Sequence, residues 1–124
     1  MNAKEVGKKL VDYVNRGETN KALSELYSKD IVSVEAAGNP EMPAEMRGID
    51  KIQGKNNWWF ENNELHAARA VGPFPHNDRF AVNYNFDVTP KTGPMAGKRF
   101  QMNEVAVYTV KDGKIVREEF FYDM

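Results

Sequence analysis

Three acidic residues attract notice because of where the surrounding pattern puts them. Glu104 and Glu118 fall on the apolar sides of two strands joined by Lys111-Asp112-Gly113, and Glu35 ends a short strand-forming run, Ile31 to Glu35. A carboxyl group among apolar neighbours is harder to ionise, and a second carboxylate nearby raises its proton affinity further. One member of such a set can then donate a proton while another accepts one. Glu35 is placed to abstract a proton from an activated carbon, with Glu118 or Glu104 as acid or water-positioning group. The competing use is structural, with either strand glutamate reaching the rim or pairing with Arg69, Arg79 or Arg99. Tyr13, Tyr84, Tyr108 and Tyr122 each join an apolar ring to a hydroxyl that can donate to a carbonyl. Trp59, Phe86, Met102 and Phe120, covered by Met42 and Met46, would complete an adjustable wall for a small apolar molecule, though the same residue types also serve as ordinary packing.

Other chemistries lack their residues. His66 and His76 do not have a metal-ligand spacing, and His76 reads as part of a turn from Gly72 to Asp78. His66 faces inward if its strand presents Glu64 and His66, and outward if it presents Leu65, Ala67 and Val71 with Arg69; both phases stay open. The chain has no cysteine, which removes disulfides, thiolate metal sites and a thiol nucleophile and suits a reducing, cytoplasmic setting. A phosphate loop, a dinucleotide fingerprint and a nucleophile elbow are absent from the sequence, so no cofactor is expected. With 17 basic against 18 acidic side chains in 124 residues, nucleic acid is a poor partner. The longest apolar run, Val105 to Tyr108, falls far short of the ~20 residues that cross a bilayer, and Met1 to Leu10 carries charges where a signal peptide needs an apolar segment.

The elements that must position these side chains run helices first and strands last. From Ala3 to Arg16, Val6, Leu10, Tyr13 and Val14 form one helical stripe that Gly17 ends. Thr19 can cap a second helix whose stripe is Ala22, Leu23, Leu26 and Tyr27. Ala36 to Arg47 reads as an irregular covering loop. A third helix spans Ile49 to Asn62, with Ile49, Ile52, Asn56, Trp59 and Phe60 inward and Trp58 at the flank. Glu64 to Val71 is a weakly patterned strand. Arg79 to Thr89 is a clear one, with Phe80, Val82, Tyr84, Phe86 and Val88 on one side and Ala81, Asn83, Asn85 and Asp87 on the other. Two last strands, Arg99 to Val110 and Lys114 to Tyr122, form an antiparallel hairpin.

The register of that hairpin decides what faces inward. A two-residue Asp-Gly loop pairs Val110 with Ile115 and turns Arg117 and Glu119 toward the side of Glu104. A three-residue loop pairs Val110 with Lys114 and joins Phe100, Met102, Glu104, Ala106 and Tyr108 to Val116, Glu118, Phe120 and Tyr122. The second separates the faces better and is preferred. It sets Glu104 and Glu118 diagonally, with Cβ atoms about 7 to 8 Å apart. The other side, including Val105, Val107, Ile115, Arg117, Glu119 and Phe121, is a half-apolar surface suited to a homodimer contact.

Three helices before an alternating sheet give an α+β layered class. Leu26-Tyr27-Ser28-Lys29-Asp30-Ile31 enters the first strand, Arg47-Gly48-Ile49 opens the third helix, and Asp112-Gly113-Lys114-Ile115 turns the last hairpin. In this order the chain resembles, over nearly its whole length, the SnoaL-like group of the nuclear transport factor 2-like superfamily. The resemblance implies a curved antiparallel sheet wrapped around the helices as a cone with an internal pocket, and frequent homodimers. That superfamily includes polyketide cyclases, ketosteroid isomerases, epoxide hydrolases, dehydratases and non-catalytic members. Glu35 falls near the carboxylate base of the ketosteroid isomerases. Their oxyanion-donating aspartic acid corresponds to Ala106, and their tyrosine falls nearest Leu10, with Tyr13 a turn later, which disfavours steroid isomerisation. The expectation is one domain over 1–124 acting without cofactor on a small apolar substrate by carboxylate acid–base chemistry. Isomerase, cyclase, dehydratase and epoxide hydrolase stay undecided, and the alternative is a non-catalytic ligand-binding or dimerisation module.

Overall fold

The computed structural model describes residues 1–38 and 43–122. Helix α1 is Ala3–Asn15; the Asn2 side chain accepts from the Glu5 N–H at 2.9 Å, and the Glu5 carboxylate accepts from the Asn2 N–H at 3.1 Å. This reciprocal cap satisfies two donors that the first helical turn would otherwise leave free. Its buried residues Ala3, Val6, Leu10 and Val14 fall at helical spacing on one side. Helix α2 is Thr19–Leu26 and has no side-chain cap; Thr19, expected to supply one, is itself the first helical residue.

Strand β1, Tyr27–Val34, follows α2 without a break and begins earlier than the expected Ile31, because Tyr27 pairs with Ile115 of a distant strand. Strand β2, Glu45–Arg47, lies within the stretch expected to be irregular and pairs antiparallel with Val32 to Val34. Helix α3 is Ile49–Asn62, as the pattern predicts. Strands β3 (Asn63–His76), β4 (Arg79–Pro90), β5 (Phe100–Lys111) and β6 (Lys114–Phe121) complete one curved, unclosed sheet in the order β2-β1-β6-β5-β4-β3. All neighbours are antiparallel except β1 and β6, which run parallel. The turn expected from Gly72 to Asp78 is mostly strand, and His76 pairs with Arg79 at its end.

The β5–β6 hairpin follows neither expected register throughout. Next to the turn, Lys111 pairs with Lys114 and Val110 with Ile115, as a two-residue Asp-Gly loop requires. Asp112 and Gly113 both take positive φ, 51° and 75°, the conformation such a loop demands. Beyond a bulge at Val116, Thr109 pairs with Arg117 and Tyr108 with Glu118. The extra residue lets Ile115 and Glu118, three positions apart, both turn inward. Ile115, expected on the outer side, is therefore core. Glu118 lies opposite Tyr108 rather than diagonal to Glu104, which sits four positions before Tyr108 in β5.

The core lies between α1 and the inner face of the sheet, where Val6, Leu10, Phe80, Val82, Ala106, Tyr108 and Ile115 are buried together with Leu26 and Ile31. Phe80 and Tyr108 stack with ring centroids 4.9 Å apart. Helix α3 is seated differently. Ile52 is its one buried residue; Phe60, expected inward, and Trp58, expected at the flank, are both exposed yet border the space beneath the helix. Trp59 turns between them and meets the ring of Phe86 at 5.6 Å. A helix anchored at so few points stands off the sheet, and the space beneath it is the candidate site.

Candidate functional site

A cavity of about 790 Å³ opens between the helices and the inner face of the sheet. This is within the range of small-molecule pockets, roughly 300–1,000 Å³. Its wall holds Trp59, Tyr84, Phe86, Met102, Tyr108, Phe120 and Tyr122, together with the carboxyl groups of Glu35, Glu104 and Glu118. Alternation along β4, β5 and β6 puts the sheet side chains on one face, Trp59 comes from α3, and Glu35 arrives just past the end of β1. Tyr13, expected on the wall, lies outside it; its hydroxyl donates to the carboxylate of Glu25, with Arg16 5.4 Å and Lys21 5.9 Å from its ring centre. Met46 packs against the core from β2 instead of lining the cavity, and Met42 lies outside the described residues.

The three carboxyl groups occupy three environments. Glu118 is only 2% exposed and accepts a hydrogen bond from the Tyr27 hydroxyl at 2.5 Å. Burial pushes its proton affinity up, while the Lys55 ammonium and the hydrogen bonds from Tyr27 and Ser33 pull it back. Glu35 accepts from Lys55 Nζ at 2.7 Å on one oxygen and from the Tyr122 hydroxyl at 2.9 Å on the other. Lys55 Nζ also donates to Ser33 Oγ at 2.7 Å. Glu104 has no side-chain hydrogen-bond partner among the described residues. Burial, then the charge of Glu35, raises it to about 7, with Lys55 opposing and Glu118 adding to the shift. Tyr84 and Tyr108 share a hydrogen bond at 2.6 Å, and burial pushes both phenols upward.

A polar strip thus runs Tyr27, Glu118, Ser33, Lys55, Glu35, Tyr122 across an otherwise apolar hollow, with Glu104 beside it. The arginines that could have tied up the strand glutamates do not. Arg69 and Arg79 are exposed, and Arg99 makes two hydrogen bonds to Asp87 on the outer side, at 2.9 and 2.8 Å. A register shift between Leu65 and Ala67 resolves the phase of β3. Leu65 and Ala68 line the cavity, whereas His66 is exposed and bonded to Thr89 Oγ1 at 2.7 Å. Among the described residues no group of three or more acidic or histidine side chains could hold a metal.

Three members of the strip, Tyr27, Ser33 and Lys55, were not singled out from sequence. Tyr27 looked like the end of a helical stripe but is the first residue of β1. Lys55 follows Ile52 by three and precedes Trp59 by four, so helical spacing already put a lysine on the inward side.

A family model described as a SnoaL-like domain matches residues 1–122. The chain belongs to the SnoaL-like family. A crystal structure from Mesorhizobium loti, provisionally described as a SnoaL-like polyketide cyclase and carbohydrate phosphatase, is 38% identical, with 98% of this chain and 100% of that one covered at a TM-score of 0.90. At 19% identity, a nuclear transport factor 2-like protein from Burkholderia thailandensis superposes with a TM-score of 0.81 over 99% of this chain and 92% of its own. A cystatin-like-fold protein of unknown function from Xanthomonas campestris is 20% identical, at a TM-score of 0.78 over 100% and 92%. These last two show the shared fold alone. No curated protein matches the sequence. In this SnoaL-like cone Leu10 and Ala106 are both buried and apolar.

Proposed function

We propose that the protein is a cofactor-independent enzyme that moves a proton on a small, largely apolar molecule held in this cavity. Glu35 is the base, Glu104 is the acid that returns a proton, and Trp59, Tyr84, Phe86, Met102, Phe120 and Tyr122 form the walls. The observation that carries this reading is the difference between two neighbouring carboxyl groups. Glu104 holds its proton to about pH 7, while Glu35 faces an ammonium at 2.7 Å. A carboxyl group raised by burial beside one held in an ion pair offers an acid and a base in one site. Glu118, enclosed and bonded to Tyr27, positions the strip rather than meeting the substrate. The description of the Mesorhizobium loti relative as a polyketide cyclase supports an activated carbonyl compound as the substrate class.

The test is exchange of the acidic C–H protons of 2-cyclohexenone into deuterated water, followed by proton NMR. General acid–base groups contribute roughly 10²- to 10⁴-fold, so Glu35→Gln is expected to lower the protein-catalysed rate by at least about tenfold, and Glu104→Gln to lower it too. Equal exchange by the wild type and Glu35→Gln would overturn the assignment. A second reading, a binding module without catalysis, is favoured by one feature: Lys55 and Tyr122 already occupy both oxygens of Glu35. It predicts that the enone raises the melting temperature while its protons do not exchange.

A further inference from the structure

Lys55 is the cation among the described residues that line the cavity. Its side chain is 13% exposed, and its ammonium lies 5.1 Å from the centre of the Phe120 ring. A lysine normally extends its head to water along an apolar stem; this one is held inside by Glu35 and Ser33, both at 2.7 Å. Two contacts leave one of its three N–H donors unspent. The neighbouring hydroxyls are more fully engaged: Tyr27 with Glu118, Tyr122 with Glu35, and Tyr84 with Tyr108. Because the nitrogen is engaged in an ion pair, it acts as a charge and a donor rather than as an amine nucleophile.

We infer that Lys55 is a catalytic residue, the electrophile that accepts the negative charge developing on a substrate carbonyl oxygen when Glu35 removes the adjacent C–H proton. This rests on the acid–base reading above and narrows the substrate to a small carbonyl compound with an ionisable neighbouring C–H. In the step, the C–H bond breaks, its proton passes to the Glu35 carboxylate, and the electron pair moves through the C–C bond onto oxygen. Glu35 becomes neutral as the enolate becomes negative, so the ammonium exchanges one counter-ion for another and the charge of the site does not change. Creating an isolated anion in a low-dielectric hollow would be far costlier. Burial raises the proton affinity of both Glu104 and Glu118, which weakens the opposition either offers to the enolate. Glu104 then gives its proton to carbon, and the proton held by Glu35 passes to the Glu104 carboxylate, which restores the Lys55–Glu35 pair.

The probe is 4-nitrophenol, whose phenolate presents a delocalised oxygen anion of enolate type and whose ionisation is read by absorbance. Bound to the wild type it is expected to ionise at least tenfold more readily than in solution. Lys55→Gln and Lys55→Met should abolish the shift, and Lys55→Arg should retain most of it. Binding of 4-nitroanisole, which cannot ionise, should be unchanged in all three and reports an intact cavity. If the wild type does not bind the phenol, binds it with unaltered ionisation, or behaves like a neutral variant that still binds 4-nitroanisole, the inference is overturned. Because this readout needs no turnover, its failure alongside active enone exchange removes Lys55 alone. A phenolate preference without exchange supports the charge-accepting role of Lys55 and removes the enzyme reading.

Discussion

Glu104 and Glu118 carry acidic groups that the fold largely withholds from water, and this has a consequence for stability with a definite sign. Below the ordinary carboxylate value of 4.5, Glu104 is protonated in both the folded and unfolded chain. As pH rises from there to about 7, the unfolded chain ionises first, so the contribution of this residue to folding is progressively lost. The slope is at most ~1.4 kcal/mol per pH unit for one group, and Glu118, also raised, adds to it in the same sense. Asp87, held low by Arg99, acts in the opposite sense but only at more acid pH. The urea midpoint of the wild type should therefore fall between pH 5 and 7, and Glu104→Gln should flatten that decline. Parallel curves for the two proteins would show that Glu104 titrates normally.

Helix α1 and helix α3 each contain a glycine, and their different seating predicts opposite results for the same substitution. A Cβ at Gly54 would meet nothing within 4 Å, so Gly54→Ala should gain the helix-propensity difference, about 1 kcal/mol. At Gly7 a Cβ would lie 2.7 Å from Pro73 Cβ and 3.1 Å from Phe80 Cδ2. Overpacking costs about 1–3 kcal/mol, enough to reverse that gain, and Gly7→Ala should destabilise in urea unfolding. The helices were legible because Val6, Leu10 and Val14, or Ile52 and Trp59, repeat within one element. The inner face of β4 was legible for the same reason. What the pattern missed depends on distant partners. The extra residue at Val116 makes sense only against β5, and the parallel pairing of Tyr27 with Ile115 joins residues far apart in the chain. Glu35, Glu104 and Glu118 were nameable from sequence by their apolar setting. Tyr27 and Lys55 were not, since each acts through a partner that folding supplies.

At the scale of the molecule, one layer of helices closes one face of the sheet and leaves the other to solvent. Val105 and Phe121 are exposed on that outer face, and self-association through it is the expected outcome. Sedimentation velocity should find a dimer for the wild type and a monomer for Phe121→Glu; a monomeric wild type would leave the outer face without that role. The inner face does the opposite, surrounding acidic groups with aromatic rings so that burial raises Glu104 to about 7. The most direct measurement of that condition is a carbon-13 NMR titration of the glutamate side-chain carboxyls, with the Glu104 signal assigned by its loss in Glu104→Gln. A midpoint of about 7 is predicted; a midpoint near the ordinary ~4.3 would mean that water reaches the carboxyl freely, and would contradict the proposed acid–base site.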